Sequence, residues 1–222
     1  MLTPLFTDVE VRVLGALIEK SVTTPDNYPL SLSALTIACN QTSNRDPLMH
    51  LEEDAVTIAV VSLRRRNLVR AIQPSGSRVT KYQHLLADAL NLDAAELGVL
   101  AVLMLRGAQT VGELHTRTAR LAEFADLAAV ETTLEALISR QPDELVARLP
   151  RRAGQKEVRY AHLLSGDAPA ADAQSMPAPS ELLAPSSPAD EKIAALEHTV
   201  DELRAEFAAL RAQFVEFQAQ FQ

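Results

Sequence analysis

The amino-acid sequence predicts a mainly α-helical protein with small β-hairpins, an α+β fold. Three observations support this prediction: one unit occurs twice, each copy reads as three helices and a hairpin, and a heptad pattern fills the C-terminal end. Three helices followed by a hairpin is the order of elements in a winged helix. We therefore predict two tandem winged-helix domains (1–88 and 89–165), a flexible Pro/Ala-rich linker (166–189) and a C-terminal coiled-coil helix (190–222).

The internal repeat defines the two domains. "SRVTKYQHLL" (77–86) recurs as "KEVRYAHLL" (156–164), so that one Tyr and one His take equivalent places in both copies. Near the start of each copy, "EVRVLGAL" (10–17) resembles "ELGVLAVL" (96–103). The two offsets differ because the first copy carries extra sequence around 23–47. The economical interpretation is one supersecondary unit used twice.

Two helices open the first copy. Asp8 is a suitable N-cap for a helix that runs to Lys20, and the prolines at 25 and 29 prevent this helix from continuing. Ser31 is the matching cap of a second, short helix that ends near Cys39. The predicted buried residues of these two helices are Val13, Leu14, Leu17, Ile18, Leu32, Leu35 and Cys39.

A third helix and a hairpin complete each copy. Residues 51–66 carry acidic side chains in the first turn and arginines in the last turn, which suits the helix macrodipole. Strands follow around Leu68–Gln73 and Val79–Leu85, joined by a turn at Ser75-Gly76. In the second copy, the predicted helices lie near 93–106, 110–122 and 127–140, and the predicted strands around 145–149 and 157–163.

The C-terminal region combines a linker with a heptad repeat. Five of the twelve prolines lie between residues 165 and 190, which is typical of a flexible, partly extended linker. Beyond it, apolar residues recur at alternating spacings of three and four, which predicts a homodimer through a coiled coil. The alternative is an amphipathic helix that folds back on its own domains. The nine seam residues are Ile193, Leu196, Val200, Leu203, Phe207, Leu210, Phe214, Phe217 and Phe221.

The net charge of −8 is unevenly distributed. Residues 1–86 carry a net charge of +1, residues 87–164 carry −2, and residues 165–222 carry −7. The two predicted domains are therefore nearly neutral and contain basic clusters that the whole-chain average conceals. This distribution permits nucleic-acid binding without demanding it.

Composition also predicts the compartment. The single cysteine, Cys39, has no internal partner for a disulfide, which fits a reducing environment. The N-terminus lacks the basic and apolar regions of a signal peptide, and no apolar run approaches the roughly 18 residues that a membrane span needs. We expect a cytoplasmic protein that does not bind a membrane.

One segment resembles a known family. "TTPDNYPLSLSALTIACNQTSNRDPLM" (23–49), at the opening of a winged-helix-like unit, is similar to the signature of the YceH-like family of bacterial proteins. The likeness covers about residues 3–165 and implies the tandem winged-helix fold. A predicted coiled-coil tail is frequent in this family, which matches 190–222. The resemblance implies no reaction, ligand or catalytic residue.

The third helices are poor candidates for reading bases. A helix in the major groove needs Arg, Lys, Asn or Gln on its outward face. On a helical wheel, the outward face of 51–66 holds Asp54, Ile58, Val61 and Arg65, and the first turn also carries Glu52 and Glu53. This face is therefore apolar and acidic near the end that usually meets the bases. The equivalent helix at 127–140 buries Leu127, Val130, Leu134, Leu137 and Ile138 and presents Ala128, Thr132, Glu135, Ala136 and Ser139. Ile58 and Val61 are candidate residues of a partner surface.

Basic residues cluster instead at the hairpins, where contacts to phosphates would give salt-sensitive binding with little sequence specificity. The alternative is that these side chains solvate small hairpins and protect the edge strands from pairing. The candidate nucleic-acid contacts are Arg64, Arg65, Arg66, Arg70, Arg78, Lys81, Arg148, Arg151, Arg152, Lys156 and Arg159.

Other chemistry is sparse. The loop "CNQTSNRDP" (39–47) is either a polar recognition patch or a set of side chains that satisfy backbone groups, and the second interpretation is favoured. Cys39 is expected to be a small core residue. The five histidines have no metal-ligand spacing, and neither a Walker loop nor GxGxxG is present. We therefore predict no cofactor, no metal and no catalytic residue.

The sequence thus predicts a non-enzymatic protein. The leading hypothesis is a regulatory or DNA-associated protein that binds duplex DNA through its basic wings. The alternative is an interaction scaffold that binds an unidentified protein through the third-helix faces and the coiled-coil tail.

Overall fold

Helices and short antiparallel strands alternate along the chain. The computed structural model describes residues 5–73, 76, 78–151 and 157–166, which belong to one compact unit, Met1–Gln174. The predictions for 167–189 and 190–222 lie outside the described residues. The elements in chain order are α1 (Asp8–Thr23), a 3-10 turn (Pro25–Asn27), β1 (Leu30–Ser31), α2 (Leu32–Cys39), α3 (Glu53–Arg65), β2 (Val69–Ile72), β3 (Lys81–His84), α4 (Leu86–Leu90), α5 (Ala94–Arg106), α6 (Val111–Thr118), α7 (Leu127–Ile138), β4 (Val146–Arg148) and β5 (Tyr160–His162).

Capping fixes the start of the first helix. The Thr7 hydroxyl accepts a hydrogen bond from the N–H of Glu10, and the Glu10 carboxylate accepts one from the N–H of Thr7. This capping box makes Thr7 the N-cap, so the prediction that Asp8 caps the helix is wrong. Helix α1 also continues past Lys20 to Thr23, one turn further than predicted, and ends before Pro25.

The first copy closes with a three-stranded antiparallel sheet of order β1-β3-β2. The hairpin was predicted, and its register pairs Val69 with His84 and Ile72 with Lys81. The third strand, β1, was not predicted, since two residues carry no detectable alternation. It leads directly into α2, whose first turn is capped by the Ser31 hydroxyl, as predicted.

The second copy repeats this order with a smaller sheet. Capping side chains begin each of its three helices: Asp93 for α5, Thr110 for α6 and Asp126 for α7. Strands β4 and β5 pair Val146 with His162, the same type of pair as Val69 with His84 in the first hairpin. The short helix α4, between the copies, was not predicted.

The core is continuous between the two copies, because α1 packs along α5. These are the two helices that the repeat aligns. Both are buried over two full turns on every side, which is typical of a helix surrounded by protein. The close approach requires Gly15, since a Cβ there would lie 2.9 Å from Leu105 Cδ2 and 3.3 Å from Met104 Cβ.

Backbone bonds also tie the ends of the two copies together. The N–H of Phe6 donates to the carbonyl of Leu164, and the N–H of Asp46 donates to the carbonyl of Leu105, both at 2.9 Å. The described segments contain no helix long and apolar enough to cross a bilayer.

Candidate nucleic-acid interface

A basic groove lies between the end of α3 and the start of β2. Its volume is about 510 Å³, within the range of ligand clefts. Three of the predicted contact residues, Arg64, Arg65 and Arg70, line it. The complete lining is Val61, Arg64, Arg65, Asn67, Val69, Arg70, Ala71 and Leu85.

Local structure explains why these side chains converge. Helix α3 ends with Arg65, and Asn67 reverses the chain with a φ of 57°, a conformation that Asn tolerates better than most residues. Strand β2 then alternates, so that Val69 is buried and Arg70 is exposed. The guanidinium of Arg70 therefore faces solvent beside the exposed arginines of the last helical turn.

The groove arginines are electrically uncompensated. Among the described residues, Arg64, Arg65 and Arg70 have no carboxylate within ion-pair distance. An apolar wall formed by Val61 and Leu85 stands beside them. The site therefore offers several free guanidinium donors at a partly apolar surface, a combination suited to an anionic polymer.

Other candidate residues of the first copy lie elsewhere. The Arg66 guanidinium carbon lies 3.7 Å from the centroid of the Phe6 ring, so this side chain packs against the start of α1. Lys81 lines a different groove of about 390 Å³ between α1 and α2, which also contains Lys20 and the exposed Ile37. Arg78 is exposed in the hairpin loop.

The described cations of the second hairpin divide into exposed side chains and one that is paired. Arg148 and Arg151 are exposed, whereas Arg152 and Lys156 lie outside the described residues. Arg159 Nη1 donates to the carbonyl of Ala108 at 2.7 Å and lies 3.1 Å from Glu113 Oε2. Arg159 therefore fastens strand β5 to the start of α6, a structural role that the sequence did not predict.

The outward face of α3 matches the helical wheel. Ile58 is 71% exposed and Val61 is 39% exposed, and Glu53 and Asp54 are exposed in the first turn. The N-terminal part of this face thus carries carboxylates and an isoleucine rather than donors to bases.

Helix α7 departs from the prediction at one position. Val130, Leu134 and Leu137 are buried as expected, but Leu127 is 51% exposed. It occupies the first helical residue, where the side chain lies beyond the adjoining core. The predicted outward residues Ala128, Thr132, Glu135, Ala136 and Ser139 are all exposed.

The polar loop before α3 is structural. The buried Arg45 donates to Glu19 Oε2 at 2.6 Å and to the carbonyl of Ala38 at 2.8 Å. Asn40 forms two hydrogen bonds of 2.8 Å with the backbone of Leu51. The favoured interpretation, that these side chains satisfy backbone groups, is confirmed for both residues.

A second buried arginine, on α1, forms hydrogen bonds with the same loop. Arg12 is 1% exposed and donates to the carbonyl of Cys39 at 3.1 Å and to that of Pro47 at 2.6 Å. Helix α1 therefore holds both ends of the loop, and burial lowers the pKa of Arg12 below its ordinary value. No periodicity in the sequence indicates that this arginine points into the core.

Burial shifts the pKa values of the Cys39 thiol and of two histidines, His84 and His162. Burial raises the pKa of the Cys39 thiol to about 12, so it is a protonated core residue, as expected. Burial also lowers the pKa of His84, whose Nε2 lies 3.3 Å from Ser21 Oγ, and lowers that of His162 to about 4. Within the described ranges, no three His, Cys, Asp or Glu side chains form a metal-binding group.

The comparisons with known proteins identify relatives over nearly the whole chain. Residues 6–155 match the family described as "Protein of unknown function, DUF480". A UPF0502 protein of Geotalea uraniireducens is 51% identical over 215 residues, which cover 97% of each chain. A UPF0502 protein of Vibrio atlanticus is 46% identical over 208 residues, or 92% of this chain and 94% of the relative. The resemblance predicted from residues 23–49 is therefore confirmed.

Proposed function

The chain belongs to the DUF480 family of bacterial proteins, also called UPF0502, and we propose that it is a non-enzymatic, DNA-associated protein. Its two repeat units are winged helices in this proposal. They bind the phosphates of duplex DNA through the basic groove and the exposed arginines of the hairpins, with little sequence specificity.

The order and register of the elements support the winged-helix interpretation. Each unit contains three main helices followed by a hairpin. The two hairpins have matching Val–His pairs, at Val69 with His84 and at Val146 with His162. In this interpretation, α3 and α7 correspond to the recognition helices and the two hairpins correspond to the wings.

The single observation that carries the DNA proposal is the cluster of free arginines in the basic groove. Arg64, Arg65 and Arg70 lack carboxylate partners among the described residues. The first turns of α3 present carboxylates and apolar groups on their exposed side, where base readout would need amides or guanidinium groups, and the exposed arginines of this helix lie in its last turn. Contacts to phosphate give affinity without such readout, so we expect binding that depends on salt more than on sequence.

Fluorescence anisotropy with a labelled duplex of arbitrary sequence tests this function. Binding should weaken steeply between about 50 and 200 mM salt. In a triple variant with Arg64→Gln, Arg65→Gln and Arg70→Gln, the slope of log K against log salt should fall by about 0.9 for each phosphate that the protein no longer neutralises.

The matched control replaces the same three arginines by lysine, which keeps the charge and should retain most of the salt slope. Salt dependences that coincide for the wild type and the glutamine variant would place the contacts elsewhere. A second, unrelated duplex should bind with the same affinity, since no base is read.

One observation favours an interaction scaffold as a second candidate function. Ile58, at 71% exposure, lies beside Val61 on α3, and apolar residues in such a position serve protein contacts well. In this case the groove arginines would form the polar rim of a protein interface. The duplex titration separates the two functions, because a scaffold predicts no binding of any duplex even at low salt.

A further inference from the structure

Three arginines converge where the two repeat units meet. Arg106 ends α5, Arg117 lies in the last turn of α6, and Arg120 follows that helix. Together they line a small cavity of about 20 Å³, room for one water-sized atom. The other lining residues are Glu19, Asn44, Val102, Leu105 and Leu121.

The carboxylates near this cavity are already committed to other cations. Glu19 Oε2 lies 2.6 Å from Arg45 and 3.8 Å from Lys20. Glu113 is shared, since Arg117 lies 3.5 Å and Arg159 3.1 Å from its carboxylate oxygens. The cations named around this cavity therefore outnumber the two carboxylates. These cations are Lys20, Arg45, Arg106, Arg117, Arg120 and Arg159.

Two of the three arginines also lack a charged partner of their own. Arg106 donates to the neutral side chain of Asn44, and Arg120 has no carboxylate within ion-pair distance among the described residues. Burial lowers the pKa of Arg106, repulsion from Arg117 and Arg120 lowers it further, and attraction to Glu19 acts in the opposite direction. Like charges held close together disfavour their charged forms, and a bound anion would relieve this repulsion.

The helix macrodipole explains only part of the arrangement. Cations are favourable in the last turn of a helix, which accounts for Arg106 and Arg117. However, the carbonyl groups of Leu103 and Leu105 already accept hydrogen bonds from the N–H groups of Gly107 and Asp46. The arginines therefore are not needed to satisfy those carbonyls, and Arg120 lies outside the helix.

We propose that this arginine junction (Arg106, Arg117 and Arg120) binds a phosphate group. The small cavity accepts one phosphate oxygen between Arg106 and Arg117, and the remaining oxygens face the exposed Arg120. Guanidinium forks match the geometry of phosphate oxygens, and a dianion neutralises an excess of more than one charge. The three arginines belong to the second repeat unit, Glu19 and Asn44 of the first unit help to line the cavity, and no residue is shared with the basic groove.

Thermal unfolding of the full chain in inorganic phosphate tests the site, with ionic strength held constant by sodium chloride. We expect a saturable rise in Tm of about 3 °C when phosphate reaches ten times its dissociation constant. Arg120→Gln should remove most of this rise while the protein still folds, because Arg120 is exposed. Arg148→Gln, an exposed arginine of the second hairpin, is the matched control and should keep it.

A second arm distinguishes free phosphate from nucleic-acid phosphate. If the junction contacts DNA, Arg120→Gln and Arg117→Gln also reduce the affinity for a labelled duplex, by about tenfold when one strong phosphate interaction is removed. If the junction binds free phosphate alone, the two variants keep the duplex affinity of the wild type but lose the rise in Tm that phosphate causes. A general stabilisation by phosphate through exclusion from the surface would be the same in every variant.

The proposal is overturned if Arg120→Gln and Arg117→Gln leave both the phosphate response and the duplex affinity at wild-type values. The result is independent of the proposed function, since the triple glutamine variant of the basic groove should retain the inorganic-phosphate response. Loss of duplex binding in that triple variant, together with an unchanged phosphate response, would separate the two sites.

Discussion

Two buried arginines hold the backbone of the polar loop before α3. Arg12 and Arg45 are 1% and 6% exposed, and both donate to backbone carbonyls of the segment from Ala38 to Pro47. Arg45 also pairs with Glu19, which itself is 5% exposed. A buried pair of this kind contributes to stability only with additional hydrogen bonds, and here the carbonyl acceptors provide them.

The equivalent histidines of the two hairpins respond to burial in the same direction. The pKa values of His84 and His162 are both lowered by burial, with Asp88 and Asp8 respectively acting weakly in the opposite direction. The sequence repeat places the two histidines at equivalent positions, and their buried Nδ1 atoms have no hydrogen-bond partner among the described residues. Both residues are therefore neutral in the folded protein at neutral pH.

Because burial lowers the pKa of His162 in the folded protein, the folding stability depends on pH. The pKa of His162 is about 4 in the folded protein and about 6.5 in the unfolded chain, so the unfolded state binds the proton first. Stability is thus unaffected above pH 6.5 and falls as the pH decreases from 6.5 to 4. At pH 5 the loss from His162 should be about 2 kcal/mol.

Urea unfolding of the wild type and of His162→Leu at pH 8 and pH 5 checks this prediction. The variant should lose less free energy of unfolding between the two pH values than the wild type. His50→Gln, at an exposed position, is the control and should follow the wild type. Equal losses in wild type and His162→Leu would mean that His162 is protonated in the folded state.

At the scale of elements, local signals predicted most of the helices. The third helix of each copy and all three helix positions of the second copy agree with the structure to within a few residues. The errors have physical causes. Thr7 competes with Asp8 as N-cap and wins because Glu10 completes the capping box. Strand β1 and helix α4 are too short to produce a periodic pattern.

Packing of α1 against α5 was not predicted. A single buried face was expected for α1, including Val13, Leu14 and Leu17, but Val11 and Ala16 are buried as well because α5 covers the opposite side. Gly15 lies at the closest approach, in contact range of Leu105 and Met104. A side chain at this position has no free space to occupy.

We therefore predict that Gly15→Leu destabilises the protein by about 1–3 kcal/mol, because overpacking forces the two helices apart. Gly112→Ala in α6 is the matched control. No heavy atom lies within 4 Å of a Cβ at residue 112, so this change should be neutral or stabilising by up to about 1 kcal/mol. Denaturant unfolding measures the free energy of unfolding of both variants. An unchanged value for Gly15→Leu would show that α1 and α5 can move apart without a loss of stability.

At the scale of the whole molecule, the described residues of both repeat units share one core within Met1–Gln174. The predicted boundary between residues 88 and 89 falls inside α4. The bonds from Phe6 to Leu164 and from Asp46 to Leu105 connect residues far apart in sequence. The arginines of the junction all belong to the second unit, and the first unit adds Glu19 and Asn44 to the lining of its cavity.

The C-terminal seam belongs to the same scale, since it predicts how chains associate. Leu203→Asp should split a homodimer because it places a charge in the predicted coiled-coil seam. Ala205→Asp adds the same charge two residues later, outside the seam, and is the control. Light scattering on the full chain gives the mass per particle. If the wild type is already monomeric, the alternative of a helix folded back on its own chain is favoured.

The candidate site was only partly predictable. The sequence identified Arg64, Arg65 and Arg70 as part of a basic cluster, because they lie close together along the chain. The sequence could not show that Arg66 and Arg159, which also lie in or beside a hairpin, differ from these three. In the structure, Arg66 packs on Phe6 and Arg159 pairs with Glu113. Which cations remain free depends on partners distant in sequence.

The sequence by itself determined the repeated order of helices and hairpins, the Ser31 cap of α2 and the burial of Cys39, because these depend on neighbours a few residues away. The tertiary structure decided that α1 and α5 pack together, that Arg12 and Arg45 point inward, and that Arg106, Arg117 and Arg120 meet. The physical reason is that periodicity specifies which face of a helix is apolar, whereas the neighbour that covers it is set by the packing of the whole chain.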